Sequence, residues 1–327
     1  MSFISRRGFV SGGLALGAGG LLLPQSVHAQ GAFPSKPISF VCAFPPGSGA
    51  DVQVRYFADK VAKAANATVV VENKAGAAGN IAAQFVARSA PDGHTVFVHA
   101  GSTAAANMSL FKNPPVDVAK ELKVVATISA QAFMVAVRAD SPYKTIQELT
   151  AAMKQKGAKA SYATTATPGK VMGELYKQLT GVQAVEVNYR TGPDTINDMM
   201  SGGVDYGMFD AVHAMAQVRE GRFRVLAVGT KERMGAVPDI PTLAESGIDV
   251  DLLVWWAAMV PTRTPQAAVD KLSAWFDAVV KTDETKQFLA GFGMDPMVRT
   301  PQQGQDMLVK AVDQWADFVR RAEIPQQ

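Results

Sequence analysis

Four short segments of this chain concentrate small hydroxyls and glycine: GSGAD at 47–51, AGST at 100–103, ATTATPG at 163–169 and YRTG at 189–192. Each stands at the end of a β-rich run, and several lead into helical patterns. The first turn of a helix presents N–H groups without intrahelical partners at the positive end of the helix dipole. Serine and threonine add donors without adding charge. Such chemistry holds an anion, and a carboxylate fits it as well as a phosphate. Taken singly, these residues are also what ordinary caps and turns use. Four such loops in one chain, with no catalytic set beside them, turn the reading toward binding.

The alternatives fail on particular residues. FPPGSGAD at 44–51 lacks the Lys-Ser/Thr ending of a phosphate-binding P-loop, and Gly169-Lys170 is followed by Val171. NKAGAAGN lacks the first glycine of a dinucleotide fingerprint, and no G-x-S-x-G elbow occurs. Beyond residue 29 the histidines are His94, His99 and His213, none at metal-ligand spacing from another His or Cys. No catalytic residue, metal or cofactor is expected. Asp205 and Asp210 flank one strand on opposite faces; Asp205 reads as a cap or a solvent-facing acid, and Asp210 stands at the strand end, where a cleft residue belongs. The adjacent Trp255 and Trp256 point to opposite faces of a strand, one toward core and one toward a pocket. The single cysteine, Cys42, lies in an apolar strand and reads as a buried small hydrophobe.

The first 29 residues read as a secretory leader. Arg6 and Arg7 precede an apolar run from Leu14 to Leu23, and Val27-His28-Ala29 is a small-residue cleavage pattern. The arginine pair after Ser5 has the look of a twin-arginine export signal, and the run is about half of the ~20 residues a spanning helix needs. Cleavage near Ala29 would place the mature chain in the periplasm. It would also remove two arginines and no acid, so the formal charge falls from +3 to +1. A nearly neutral chain without a basic block does not fit nucleic acid.

These loops need elements to position them. Strand-like runs alternate with helical stripes: 38–44, then Val54, Phe57, Ala58, Val61, Ala62 and Ala65 at helical spacing, then 68–72, then NKAGAAGN leading into a helix through Ile81 and Phe85. Strands at 95–99 and 124–128 and the run FMVAVR follow, and Thr145 with Glu148 makes a capping box for a helix over 146–155. The series repeats with SYATT, a stripe of Met172, Leu175, Tyr176 and Leu179, then AVEVNY, a helix near Ile196 and Met199, VDYGMF and RVLAVG. Val269, Leu272 and Phe276 mark one late helix, and Leu308, Ala311, Val312, Trp315 and Val319 another. Such alternation predicts an α/β fold of mostly parallel sheets flanked by helices. Two series predict two lobes, with a ligand at the strand carboxyl ends facing a shared crevice. The pattern alone leaves open which lobe the late helices join.

The chain resembles the Bug/TctC family, the extracytoplasmic solute receptors of tripartite tricarboxylate transporters. FPPGSGAD, VVVENKAGAAGNIAAQFVARSAPDGHT, VNYRTGPDTIND, VDYGMFD, GRFRVLAVGTKER with VPDIPTLAESG, and VWWAAMVPTRTP carry the resemblance across nearly the whole chain after the leader. It implies a monomeric, two-lobed periplasmic binding protein of the Venus flytrap type, type II-like, that delivers a small carboxylate or dicarboxylate to membrane permease subunits. The expected division is 30–131 and 230–327 for the first lobe and 132–229 for the second, with the late helices on the first. The matched positions implicate the 44–51 loop as a carboxylate clamp, namely Phe44, Gly47, Ser48, Gly49 and Asp51. They also implicate Asn80, Ser102, Thr103, Tyr189, Arg190 and Asp210. In the second-lobe loop, Thr164, Thr165 and Thr167 are the expected donors. That loop, YATTATPGK, is two residues shorter than in relatives and carries Lys170 where they have histidine. Lys170 either reaches a second carboxylate or faces solvent.

One carboxylate is expected to dock at 47–51 and 102–103, and closure about FMVAVR and RVLAVG then brings 164–167 and 189–190 onto its far end. An exported enzyme acting on a small acid, through Asp210 with Tyr189 or Lys170, is the competing reading. A receptor that presents its ligand to a sensor kinase is another.

Overall fold

The computed structural model describes residues 33–189 and 192–327. The expected leader and Arg190 lie outside these residues. In chain order the elements are β1 (Ile38–Cys42), α1 (Gly49–Ala65), β2 (Val69–Asn73), α2 (Asn80–Ala87), β3 (Thr95–Ala100), α3 (Gly101–Leu110), α4 (Val118–Glu121) and β4 (Leu122–Arg138). Next come α5 (Ile146–Lys156), β5 (Ser161–Thr164), α6 (Thr167–Thr180), β6 (Val185–Asn188), α7 (Gly192–Ser201), β7 (Tyr206–Asp210), α8 (Ala211–Arg219) and β8 (Phe223–Val228). The chain finishes with β9 (Leu253–Pro261), α9 (Gln266–Val280), α10 (Asp283–Ala290), β10 (Met294–Pro296) and α11 (Pro301–Arg321).

The sheet runs β2-β1-β3-β9-β4-β7-β5-β6, with β8 and β10 also paired to β4. The expected parallel strands are β1 with β2 and β3, and β5 with β6 and β7. Antiparallel pairs gather at the junction, where β4 meets β7, β8, β9 and β10. β4 belongs to both halves. Leu122–Ala132 pairs with β9, and Phe133–Arg138 pairs with β7 and β8. The sequence reads as two strands here because Ser129 and Gln131 interrupt the apolar run. Both are buried within one continuous strand, and Ser129 accepts a hydrogen bond from Gln53 Nε2 at 2.9 Å.

Local sequence explains the helices that reach the strand ends. On α1, Val54, Phe57, Ala58 and Val61 fall on one buried stripe, Ser48 caps the start, and Asn66 ends the helix in the left-handed region at φ 47°. Pro168 sits in the first turn of α6, and Gly181 closes that helix at φ 76°. Thr300 and Gln303 form a reciprocal capping box at the start of α11. At α5 only half of the expected box forms: Thr145 accepts from the Glu148 N–H, while Glu148 itself accepts from the Lys144 N–H at 2.6 Å.

The core follows the sheet on both sides of the junction. Phe40 of β1 stacks on Phe276 of α9 at 5.4 Å, both fully buried. In the other half, Tyr162 and Tyr206 stack at 5.6 Å beneath α6. Burying each such ring stabilises the fold by about 1.5–3 kcal/mol. α11 packs on α3 and β4, and α9 packs on α1 and β4.

Candidate ligand-binding site

Five helices start at or just after the carboxyl end of a parallel strand: α1 after β1, α3 after β3, α6 after β5, α7 after β6 and α8 after β7. Through β9 and β4, the end of β3 lies level with Ser129 of β4 and the end of β7 with Phe133, the two strands running in opposite directions, so the first-turn N–H groups of the two sets face each other across the middle of β4.

The 44–51 loop is built around Asp51, which is 2% exposed. Its Oδ2 accepts from the Gly47 N–H at 2.8 Å and from Arg55 Nε at 2.8 Å, and its Oδ1 accepts from Asn73 Nδ2 at 2.7 Å. Asn73 Nδ2 also donates to the Phe44 carbonyl at 3.0 Å. Burial opposes ionisation of Asp51, but Arg55, Asn73 and the Gly47 N–H outweigh it and hold its pKa below the usual carboxylate range. Ser48 Oγ donates to the Pro45 carbonyl and accepts from the Asp51 N–H. Gly47 adopts φ 80°, which a residue with a Cβ seldom tolerates. Asp51 thus shapes the loop from within, and Gly47, Ser48 and Gly49 form its outer surface. The Phe44 ring, half-buried, leans on His99 and Trp256 at centroid distances of 5.3 and 6.0 Å.

Two further first-half candidates lie at neighbouring helix starts. Asn80 opens α2; its Oδ1 accepts from Asn107 Nδ2 at 3.0 Å, while its own Nδ2 is buried without a protein partner. Ser102, in the first turn of α3, is 1% exposed and accepts from the Trp255 N–H at 3.4 Å, beside half-buried Thr103. Both tryptophans are buried. Trp255 lies on Gly101, where any Cβ would come within 2.3 Å of its ring, and Trp256 backs Phe44.

In the second half, Thr164 is fully buried and donates to Glu186 Oε1 at 2.8 Å. Thr165 and Thr167 are half-buried, without side-chain partners among the described residues. The Lys170 Nζ pairs with Glu186 Oε2 at 2.9 Å. Tyr189 donates its hydroxyl to Asp198 at 2.6 Å, and its N–H donates to the Thr164 carbonyl at 2.8 Å. Asp210 ends β7 and caps α8, its Oδ1 accepting from the His213 N–H at 3.0 Å. Asp205 accepts from the Ser161 N–H and pairs with Lys156 at the opposite end of β7 from Asp210.

The two halves meet beside the middle of β4. A Cβ on Gly49, at the start of α1, would lie 3.1 Å from Val212 Cγ1, in the first turn of α8. The 44–51 loop and the Asp210 cap therefore face each other. Sequence reasoning missed the partners that set the geometry, namely Arg55, Asn73, Asn107, Glu186 and Asp198. Asn73, at the end of β2, had a signal in its place beside the glycine-rich block.

Comparison with known proteins decides the family. The sequence profile of the tripartite tricarboxylate transporter family receptor matches residues 53–324. This chain belongs to that family. The receptor is 34% identical over 261 residues to a UPF0065 protein of Bordetella bronchiseptica, covering 77% of this chain and 76% of that one. Its fold superposes on the periplasmic binding protein BugD with a TM-score of 0.77 at 26% identity, covering 90% of this chain and all of BugD. It superposes on MatC (Rpa3494) of Rhodopseudomonas palustris, solved with bound malate, with a TM-score of 0.75 at 25% identity, covering 88% and 100%. The receptor thus has the two-lobed α/β fold of the Bug/TctC periplasmic binding proteins. Among the described residues, no helix is long and apolar enough to cross a membrane, and no group of His, Cys, Asp and Glu could hold a metal ion.

Proposed function

We propose that the receptor binds a small carboxylate or dicarboxylate in the periplasm and delivers it to the permease subunits of a tripartite tricarboxylate transporter. The observation that carries this reading is that helix starts from both halves face each other across the middle of β4, with Gly49 against Val212. Uncharged donors and helix N-termini can hold a carboxylate without a metal or a buried cation. That MatC binds malate in the same fold supports the choice of anion.

In this reading residues 30–131 and 230–327 form one lobe and 132–229 the other, after a leader is removed near Ala29. The carboxylate docks on the 47–51 loop, Asn80, Ser102 and Thr103. Thr165, Thr167, Tyr189, Arg190 and Asp210 close on its far end. Asp51 acts by holding the loop in shape, and Thr164 by seating the second-lobe loop. Closure is a population shift driven by contacts available only in the closed form. β4 is the shared strand about which the lobes move.

The test is a library of carboxylates screened by thermal shift against purified, ligand-stripped protein, with calorimetry on the hits. A ligand at 100 times its Kd should stabilise the fold by about 2.7 kcal/mol. Failure of every carboxylate to bind the folded protein would remove the proposal. Turnover of a bound acid would make the protein an enzyme instead.

A further inference from the structure

Buried polar side chains gather about the middle of β4, and the fold leaves some of their atoms unpaired. Gln53 Oε1, Gln131 Oε1 and Trp256 Nε1 have no hydrogen-bond partner among the described residues, although these residues are only 3%, 6% and 4% exposed. Strand pairing puts them together. Trp256 of β9 stands directly opposite Ser129 of β4, so their side chains share one face of the sheet, and Gln131, two residues on, projects from that same face. Gln53 reaches that face from α1 and donates its Nε2 to Ser129 Oγ at 2.9 Å.

The group belongs to the proposed site on three counts. Ser129 is level with the end of β3 and Phe133 with the end of β7, so Gln131 lies between the two sets of helix starts. The Trp256 ring backs Phe44 of the 44–51 loop at 6.0 Å. Gln53 lies one turn along α1 from Gly49, the residue that meets Val212 of the other half.

A buried amide carbonyl or indole N–H without a partner is costly. None of the three groups is charged. Together they suit a neutral group that can accept from Trp256 and donate to a glutamine carbonyl. A hydroxyl does both from a single oxygen. A keto oxygen only accepts, an ammonium only donates, and a methylene does neither. Each of these leaves buried groups unpaired, and a site built around a hydroxyl rejects the analogue lacking it for that reason.

We infer that Gln53, Gln131 and Trp256 form a hydroxyl subsite beside the carboxylate loop, and that through it the receptor selects carboxylates bearing a hydroxyl on the carbon chain. This inference rests on the carboxylate-receptor reading above and narrows its ligand class.

Matched acids on one carbon skeleton test it. Succinate, glutarate and butyrate, and any other skeleton that binds in the carboxylate screen, are each compared by calorimetry with their hydroxy, oxo and amino derivatives. On the best-fitting skeleton the hydroxy acid should bind the wild-type protein at least about tenfold tighter than its parent, roughly 1.4 kcal/mol, and tighter than the oxo and amino acids. Trp256→Phe keeps a ring against Phe44 and removes the N–H, and Gln131→Met keeps the length and removes the amide. Either should reduce the hydroxy-to-parent ratio to about threefold or less. Circular dichroism and thermal melts establish that each variant is folded, and the ratio within one variant is insensitive to a general loss of stability. If one variant fails to fold, the other gives the same readout. A hydroxy acid no tighter than its parent on every skeleton that binds, a tighter oxo or amino acid, or an unchanged ratio in the folded variants overturns the inference, and the three groups then serve water. The receptor reading survives those results. If no carboxylate binds the wild type, the receptor reading itself falls.

Discussion

At the scale of single residues, Asp51 organises the loop proposed to hold the ligand, and it does so from inside. Its oxygens collect the Gly47 N–H, Arg55 and Asn73, so the outward face of the loop is left to backbone and hydroxyl groups. Asp51→Ala should reduce carboxylate affinity tenfold or more by calorimetry while the protein still folds. Stability should fall by about 1–3 kcal/mol, the cost of leaving buried donors unpaired. The folded-state pKa of Asp51 is lowered, so its contribution is present above its unfolded pKa near 4 and is lost as pH falls through the lower folded value. The stability difference between wild type and Asp51→Ala should therefore narrow below about pH 4 in urea melts. His99 shows the opposite environment: burial pushes its pKa down to about 3, so it sits neutral among Phe97, Phe44 and Trp256. It is part of the wall behind the loop, in keeping with its position on an apolar strand.

At the scale of elements, close approach matters more than propensity. α6 crosses its sheet so tightly that a Cβ on Gly173 would lie 2.2 Å from the Tyr162 ring. Tyr162 is fixed beneath it, its hydroxyl donating to Glu174 at 2.7 Å. Gly173→Ala should therefore lose stability despite alanine's better helix propensity, by about 1–3 kcal/mol from overpacking. The midpoint of urea unfolding measures this. An unchanged or raised midpoint would mean that α6 moves away without loss. The sequence places this helix through Met172, Leu175, Tyr176 and Leu179; the first three are buried and Leu179 is exposed. It does not show that a glycine in its middle is a contact point, because Tyr162 is brought there only by the sheet.

At the scale of the whole molecule, the two halves come together at Gly49 and Val212. Extra bulk at that point should hinder closure without disturbing either core. Gly49→Val should weaken carboxylate binding by about tenfold with little change in the ligand-free melting temperature. Val212→Ala in the same chain should recover part of the loss, which distinguishes a steric block from damage to the α1 start. Small-angle scattering with and without a bound carboxylate would report compaction in the wild type and less of it in Gly49→Val.

Composition, periodicity and motif placement were enough to determine the alternating α/β order and the strand-end loops, because each depends on local spacing and turn chemistry. They also led to the family, since its motifs run along most of the chain. The tertiary structure decided the rest. It made one strand of β4, because neighbours on both sides supply partners for Ser129 and for the backbone through it. Thr164 and Lys170 were committed to Glu186, since β6 lies alongside β5 only after folding. Asp51 was set as the inner bracket of the first loop, with partners from β2 and from the next turn of α1. Which donors remain open to a ligand is a question of who their neighbours are, and those neighbours are distant in sequence.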